Sequence, residues 1–155
     1  MGLEHGRTFS REAAAAPLAR RFVRGAVSAE VSDPDAIDRL VQAAGEAINN
    51  VIAHAAGPFF AVRVRVHVPD PVHLPDPVCV VGVIDSGRGF AVPSRIAMPG
   101  PLEEGRRGLA LMQALVDRVD VASSAVGTVV TLTQRLAAAR DGNRRLALAG
   151  SAGPG

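Results

Sequence analysis

No lysine, tyrosine or tryptophan occurs in this chain of 155 residues, and it holds one cysteine. Each absence closes a reading. Without lysine there is no Gly-Lys-Ser/Thr loop, so a Walker-type phosphate site is excluded. Five phenylalanines are the only aromatics, too few to build stacking platforms for single-stranded nucleic acid. The lone Cys79 permits no disulfide within the chain; it sits in an apolar run and reads as a small core residue. No apolar run reaches the length of a membrane span, and the N-terminus lacks the apolar centre of a signal peptide. A reduced, cytoplasmic setting is therefore expected, with no membrane partner. All 17 basic residues are arginine, yet the net charge is only +2 and the arginines are scattered. They form no stripe for nucleic acid, so no direct nucleic-acid partner is expected. What is present is a 48% hydrophobic chain, long enough for one domain with a core of Val, Leu, Ile and Ala.

The pattern along the chain alternates between helix and strand. A short strand is expected around Arg7–Ser10, then a helix from about Glu12 to Val31, whose start is drawn toward residue 16 by Pro17. Ser32-Asp33-Pro34 is a strong second helix start, a capping acid followed by proline at the first helical position. From there Ile37, Leu40, Val41, Ala44, Ile48, Val51, Ile52 and Ala55 recur at helical spacing up to Gly57-Pro58. Phe59 to Val68 alternates valine with Arg63, Arg65 and His67, the mark of a strand with one wet face. Residues 69–77 carry four prolines and read as the connection of a hairpin. Val78–Ile84 is nearly all apolar and reads as a central strand. Residues 86–107, rich in Gly, Pro and Arg, read as a mobile loop, and Gly108–Asp117 as a third helix. Val119–Ser123 and Thr128–Leu136 form a closing hairpin around Ala125-Val126-Gly127. Residues 1–136 are thus expected to form one domain, and 137–155 a disordered tail.

Chemistry concentrates at three places. At about 100° per residue, Asn50 lies roughly 40° and His54 roughly 80° from Glu46, all away from the apolar stripe of their helix. An amide oxygen suits Mg²⁺, which takes few protein ligands. A carboxylate one turn earlier can accept a proton from a hydroxyl. Asn49 doubles the amide, but only Asn50 has the four-residue spacing from Glu46. His54 reads either as a catalytic partner or, more simply, as a residue that fixes its neighbours. The second place is Asp85, where an apolar strand ends in Asp85-Ser-Gly87-Arg-Gly89. An acid there can accept from an exocyclic amine such as that of adenine, and glycines let backbone approach a ring or phosphates. The third is Gly105-Arg-Arg107-Gly108-Leu109, a glycine turn opening a helix, whose free N–H groups suit phosphate. His5, His67 and His73 show no metal-ligand spacing.

The order Glu46-x-x-x-Asn50, Asp85-x-Gly87-x-Gly89, Arg107-Gly108-Leu109-x-Leu111 and Gly127-Thr128 resembles the GHKL ATPases, and within them the small anti-sigma-factor serine/threonine kinases. The resemblance covers about residues 18–136. It implies an α/β Bergerat fold, an α+β two-layer sandwich with a mixed, mostly antiparallel sheet under three helices on one face. It implies ATP and Mg²⁺ as cofactors, Glu46 as general base and Asn50 as metal ligand. Asp85 would contact the adenine amine, Gly87 and Gly89 would shape its pocket, and Thr128 would lie beside it. Arg107, Gly108 and Leu109 would border the phosphates, and residues 90–107 would form the lid.

The function expected from the resemblance is an anti-sigma factor that phosphorylates an anti-anti-sigma (STAS-type) antagonist and regulates transcription by partner switching. Its partners would be a sigma factor and that antagonist, and a homodimer is compatible. Two alternatives stand beside it: an ATP-binding regulatory module without kinase activity, and a detached histidine-kinase-like ATPase domain. The latter fits less well because no helix pair with a phosphoacceptor histidine is found.

Overall fold

In a computed structural model of the chain, which describes residues 2–67, 72, 76–85 and 104–136, eight elements follow one another. They are β1 (Gly2–Ser10), α1 (Ala15–Ser28), α2 (Pro34–His54), β2 (Phe59–His67), β3 (Val78–Asp85), α3 (Glu104–Leu115), β4 (Arg118–Ser124) and β5 (Gly127–Arg135). The five strands form one sheet in the order β1-β2-β3-β5-β4. The architecture is α+β, with three helices and an antiparallel sheet. Every described pairing is antiparallel, so the parallel component of a mixed sheet is not found among the described residues.

Period-two patterning decides which face of the sheet is covered. In β2, Phe60, Val62, Val64 and Val66 are buried, while Phe59, Arg63 and Arg65 are exposed. In β3 the buried set is Cys79, Val81, Val83 and Asp85, and in β5 it is Thr128, Val130, Leu132 and Gln134. The helices lie over that face: α1 packs on β1 and β2, α2 on β3 and β5, and α3 against α2 and β4. α2 contributes Leu40, Ala43, Ala44, Ala47 and Ile48, none with any exposed surface. Each fully buried Val, Leu or Ile contributes on the order of 1.5–3 kcal/mol. Burial pushes the Cys79 thiol up to about 12, so it stays protonated and inert at neutral pH.

α2 is fixed at both ends. The Asp33 carboxylate accepts from the Ala36 N–H at 3.2 Å, and Pro34 takes the first helical position. At the other end the Arg11 guanidinium donates to the carbonyls of Ile52 (2.8 Å) and Gly57 (2.6 Å). The Arg11 N–H also donates to the Pro58 carbonyl at 2.8 Å. A cation on the last carbonyls suits the helix dipole and ties the end of β1 to the helix.

Boundaries depart from expectation where tertiary contacts decide them. β1 begins at Gly2, not Arg7, because all nine of its residues pair with β2, Gly2 opposite His67 through Ser10 opposite Phe59. α1 begins at Ala15 and ends at Ser28; Pro17 then lies in the first turn, where it removes no intrahelical bond. α3 begins at Glu104, not at Gly108, so residues 104–107 are helix rather than the end of a loop or lid. The rest of that loop, residues 86–103, with Gly87 and Gly89, lies outside the described residues, as do His73 and the tail 137–155.

Candidate functional site

One row of residues crosses the whole sheet. Phe9 pairs with Phe60, Phe60 with Asp85, Asp85 with Thr128, and Thr128 with Ser123. All five side chains share the helix-facing side, since directly opposed residues on neighbouring strands point the same way. The Phe9 and Phe60 rings stack at 5.5 Å, and Phe22 from α1 meets Phe9 edge-on at 6.0 Å. The row then turns polar. Asp85 and Thr128 are buried, at 6% and 1% exposure; the other buried positions of β3 are apolar, and those of β5 are Val130, Leu132 and Gln134. The hydroxyls of Ser123 and Thr128 lie 3.1 Å apart. The register that brings Ser123 opposite Thr128 comes from the tight turn at Ala125-Val126, closed by Gly127 at φ 151°, a conformation that favours glycine.

A second polar group lies on α2, which packs on the strands bearing Asp85 and Thr128. Glu46 and Asn50 are half-buried, one turn apart, whereas Asn49 and His54 are exposed. Gly108 of α3 is buried against this pair. A Cβ on Gly108 would come within 3.1 Å of Asn50 Nδ2, 3.6 Å of Asn50 Oδ1 and 3.5 Å of Glu46 Oε2. Glycine therefore permits the close approach of α3 to the two polar side chains, a contact between segments far apart in the chain.

The role expected for Gly108 as a helix opening is corrected. It is an interior residue of α3, and the amides without intrahelical partners belong to the first turn, from Glu104. Arg107 is exposed, and Leu109 packs against the core. Thus Glu46, Asn50 and Gly108 are brought together, and Asp85 is brought beside Thr128. Among the described residues no group of three or more His, Cys, Asp or Glu is placed to hold a metal ion. An Mg²⁺ held by one amide, phosphate oxygens and water needs no such group, and the donor set at Asn50 fits that chemistry. Sequence reading missed Ser123 and Arg11. The hairpin register could have found Ser123, by counting outward from the turn; nothing local marks Arg11 as a helix cap.

A family profile described as a histidine kinase-like ATPase domain matches residues 9–134. No curated protein matches the chain. Among solved structures, the RsbU and RsbW domains of a Mycobacterium tuberculosis protein align with a TM-score of 0.60 and 22% identity. That alignment covers 86% of this chain and 32% of the other, and it shows a shared fold. The histidine kinase domain of an Erythrobacter litoralis blue-light activated histidine kinase aligns at TM-score 0.47 and 21% identity, over 66% of this chain and 45% of that one. The Acinetobacter baumannii histidine kinase AdeS aligns at 0.47 and 13% identity, over 86% and 68%.

Proposed function

The chain belongs to the family of histidine kinase-like ATPase domains, and from that premise we propose that it is an ATP-dependent protein kinase acting on a serine or threonine. Its substrate is a small anti-anti-sigma protein of the STAS type, and it holds a sigma factor when not so engaged. The observation that carries this reading is the pairing of Glu46 with Asn50 under Gly108, on a helix that packs on the strands bearing Asp85 and Thr128. A module that only binds ATP needs no carboxylate beside the metal ligand. The ordered motifs from Glu46 to Thr128 support the same assignment.

In this reading Asp85 accepts from the adenine amine and Thr128 meets the neighbouring ring edge. Asn50 would hold Mg²⁺, which when bound would neutralise charge on the phosphates. Glu46 accepts the proton of the attacking hydroxyl. The hydroxyl oxygen bonds to the γ-phosphorus, and the bond to the bridging oxygen breaks. ADP leaves with that electron pair. Positioning supplies much of the acceleration.

The test is phosphate transfer from radiolabelled ATP to purified antagonists and sigma factors. Acid-stable label should appear on one antagonist, and Glu46→Gln should lower transfer by about a hundredfold or more while ATP affinity stays within about threefold. Acid-labile label would instead mark histidine as acceptor. No transfer to any tightly bound partner would leave an ATP-gated binding module.

A further inference from the structure

Thr128 has one hydroxyl proton, and the residue beside it controls where that proton points. Its β-branched side chain is stiff about χ1, so rotation of the O–H is the freedom that remains. At 1% exposure the hydroxyl is shielded from bulk water, and Ser123 Oγ lies 3.1 Å away. Two arrangements satisfy that contact. If Thr128 donates to Ser123, it offers only lone pairs to anything bound beside Asp85. If Ser123 donates, Thr128 keeps its proton for that ligand.

Building on the ATP-binding reading above, we propose that Ser123 is a positioning residue for base recognition: its hydroxyl donates to Thr128 Oγ1 and turns the Thr128 proton toward the base. The chemistry of adenine selects this arrangement. Its edge presents an amine donor beside a ring-nitrogen acceptor. The Asp85 carboxylate can only accept, so it suits the amine. The ring nitrogen then needs a donor, and Thr128 stands directly opposite Asp85 in the sheet. Ser123 can give up its proton at low cost. It sits half-buried on β4, at the end of the strand order, where water can satisfy its lone pairs. A hydroxyl on one strand thereby sets the ligand preference of a threonine on the next.

The experiment compares ATP with its 1-deaza analogue, which keeps the amine and lacks the ring-nitrogen acceptor, by titration calorimetry on the full chain. Wild type should favour ATP by about tenfold, the range for one buried hydrogen bond. In Ser123→Ala, ATP affinity should fall about fivefold and the preference should shrink to within about twofold. Ser123→Thr, which keeps the donor, should restore the preference. Ser123→Cys, a weak donor of similar shape, should behave like alanine and serves if the alanine variant fails to fold. A merely structural serine would weaken both ligands alike, and an undiminished preference in Ser123→Ala overturns the proposal. Equal binding of the two ligands by wild type also overturns it while leaving ATP binding intact. No ATP binding by wild type removes the reading beneath it.

Discussion

The two halves of the row that crosses the sheet occupy equivalent positions and carry opposite chemistry. Phe9 and Phe60 on β1 and β2 are buried under α1 and form a stacked aromatic pair. Asp85 and Thr128 on β3 and β5 are as deeply buried, under α2, and are polar. Register and burial are common to both, so neither explains the difference. Burying a carboxylate or hydroxyl costs free energy unless partners compensate, and aliphatic residues would fill the same space at less cost. Thr128 meets the Ser123 hydroxyl within the chain, and on the proposed reading the polar pair also serves a bound nucleotide. The aromatic half is what the row looks like when only packing is asked of it.

The largest expected effect falls on the aromatic half. Phe9→Ala removes a ring packed on both Phe60 and Phe22 and should lower unfolding free energy by about 3–5 kcal/mol in denaturant titration. Nucleotide affinity of the molecules that remain folded should hold within about threefold. A large loss of affinity would couple the halves and break the comparison.

A smaller effect is expected at Gly108, where stability and binding pull apart. Alanine in a helix interior gains up to about 1 kcal/mol over glycine. Its methyl would, however, press on the Asn50 amide at 3.1 Å. Gly108→Ala should leave the melting temperature within a few degrees and weaken Mg²⁺-dependent ATP binding about fivefold, on the order of 1 kcal/mol of misfit. Unchanged binding would detach α3 from the Glu46–Asn50 pair.

The smallest effect belongs to the open face over β1 and β2. Glu4 takes a hydrogen bond from Arg65 at 2.7 Å, and that bond and its charge hold the Glu4 carboxyl below the ordinary 4.5. A depressed acid stabilises the fold above its unfolded value and loses that contribution as pH falls through its folded value. Because the pair is exposed, the contribution is slight and fades with salt. Carboxyl titration by NMR should find Glu4 below 4.5 in wild type and nearer 4.5 in Arg65→Ala. An unchanged titration would show that the pair does not persist in solution.

How much of this was legible depends on whether a feature is local. α2 was readable because Asp33-Pro34, the apolar stripe and Gly57-Pro58 each act within a few residues of themselves. β2 was readable from alternation, and Asp85 stood out as an acid ending an apolar strand. The first half of β1 was not, because Leu3 to Gly6 become strand only through pairing with Val66 to Arg63. The start of α3 was not, since Glu104 to Arg107 carry no apolar period. The approach of Gly108 to Asn50 joins residues far apart in sequence, and no spacing along the chain encodes it.

The polar half is the proposed nucleotide site, and one measurement reaches it directly. Titration calorimetry with a non-hydrolysable ATP analogue should be run on wild type and on Asp85→Asn, with circular dichroism to verify the fold. The substitution keeps size and changes an acceptor into a mixed donor and acceptor, at the position that the proposed reading sets against the adenine amine. A well-folded Asp85→Asn protein that binds at least about tenfold, or 1.4 kcal/mol, more weakly is the result this account predicts. Equal affinity in the two proteins would contradict it and remove Asp85 from the site.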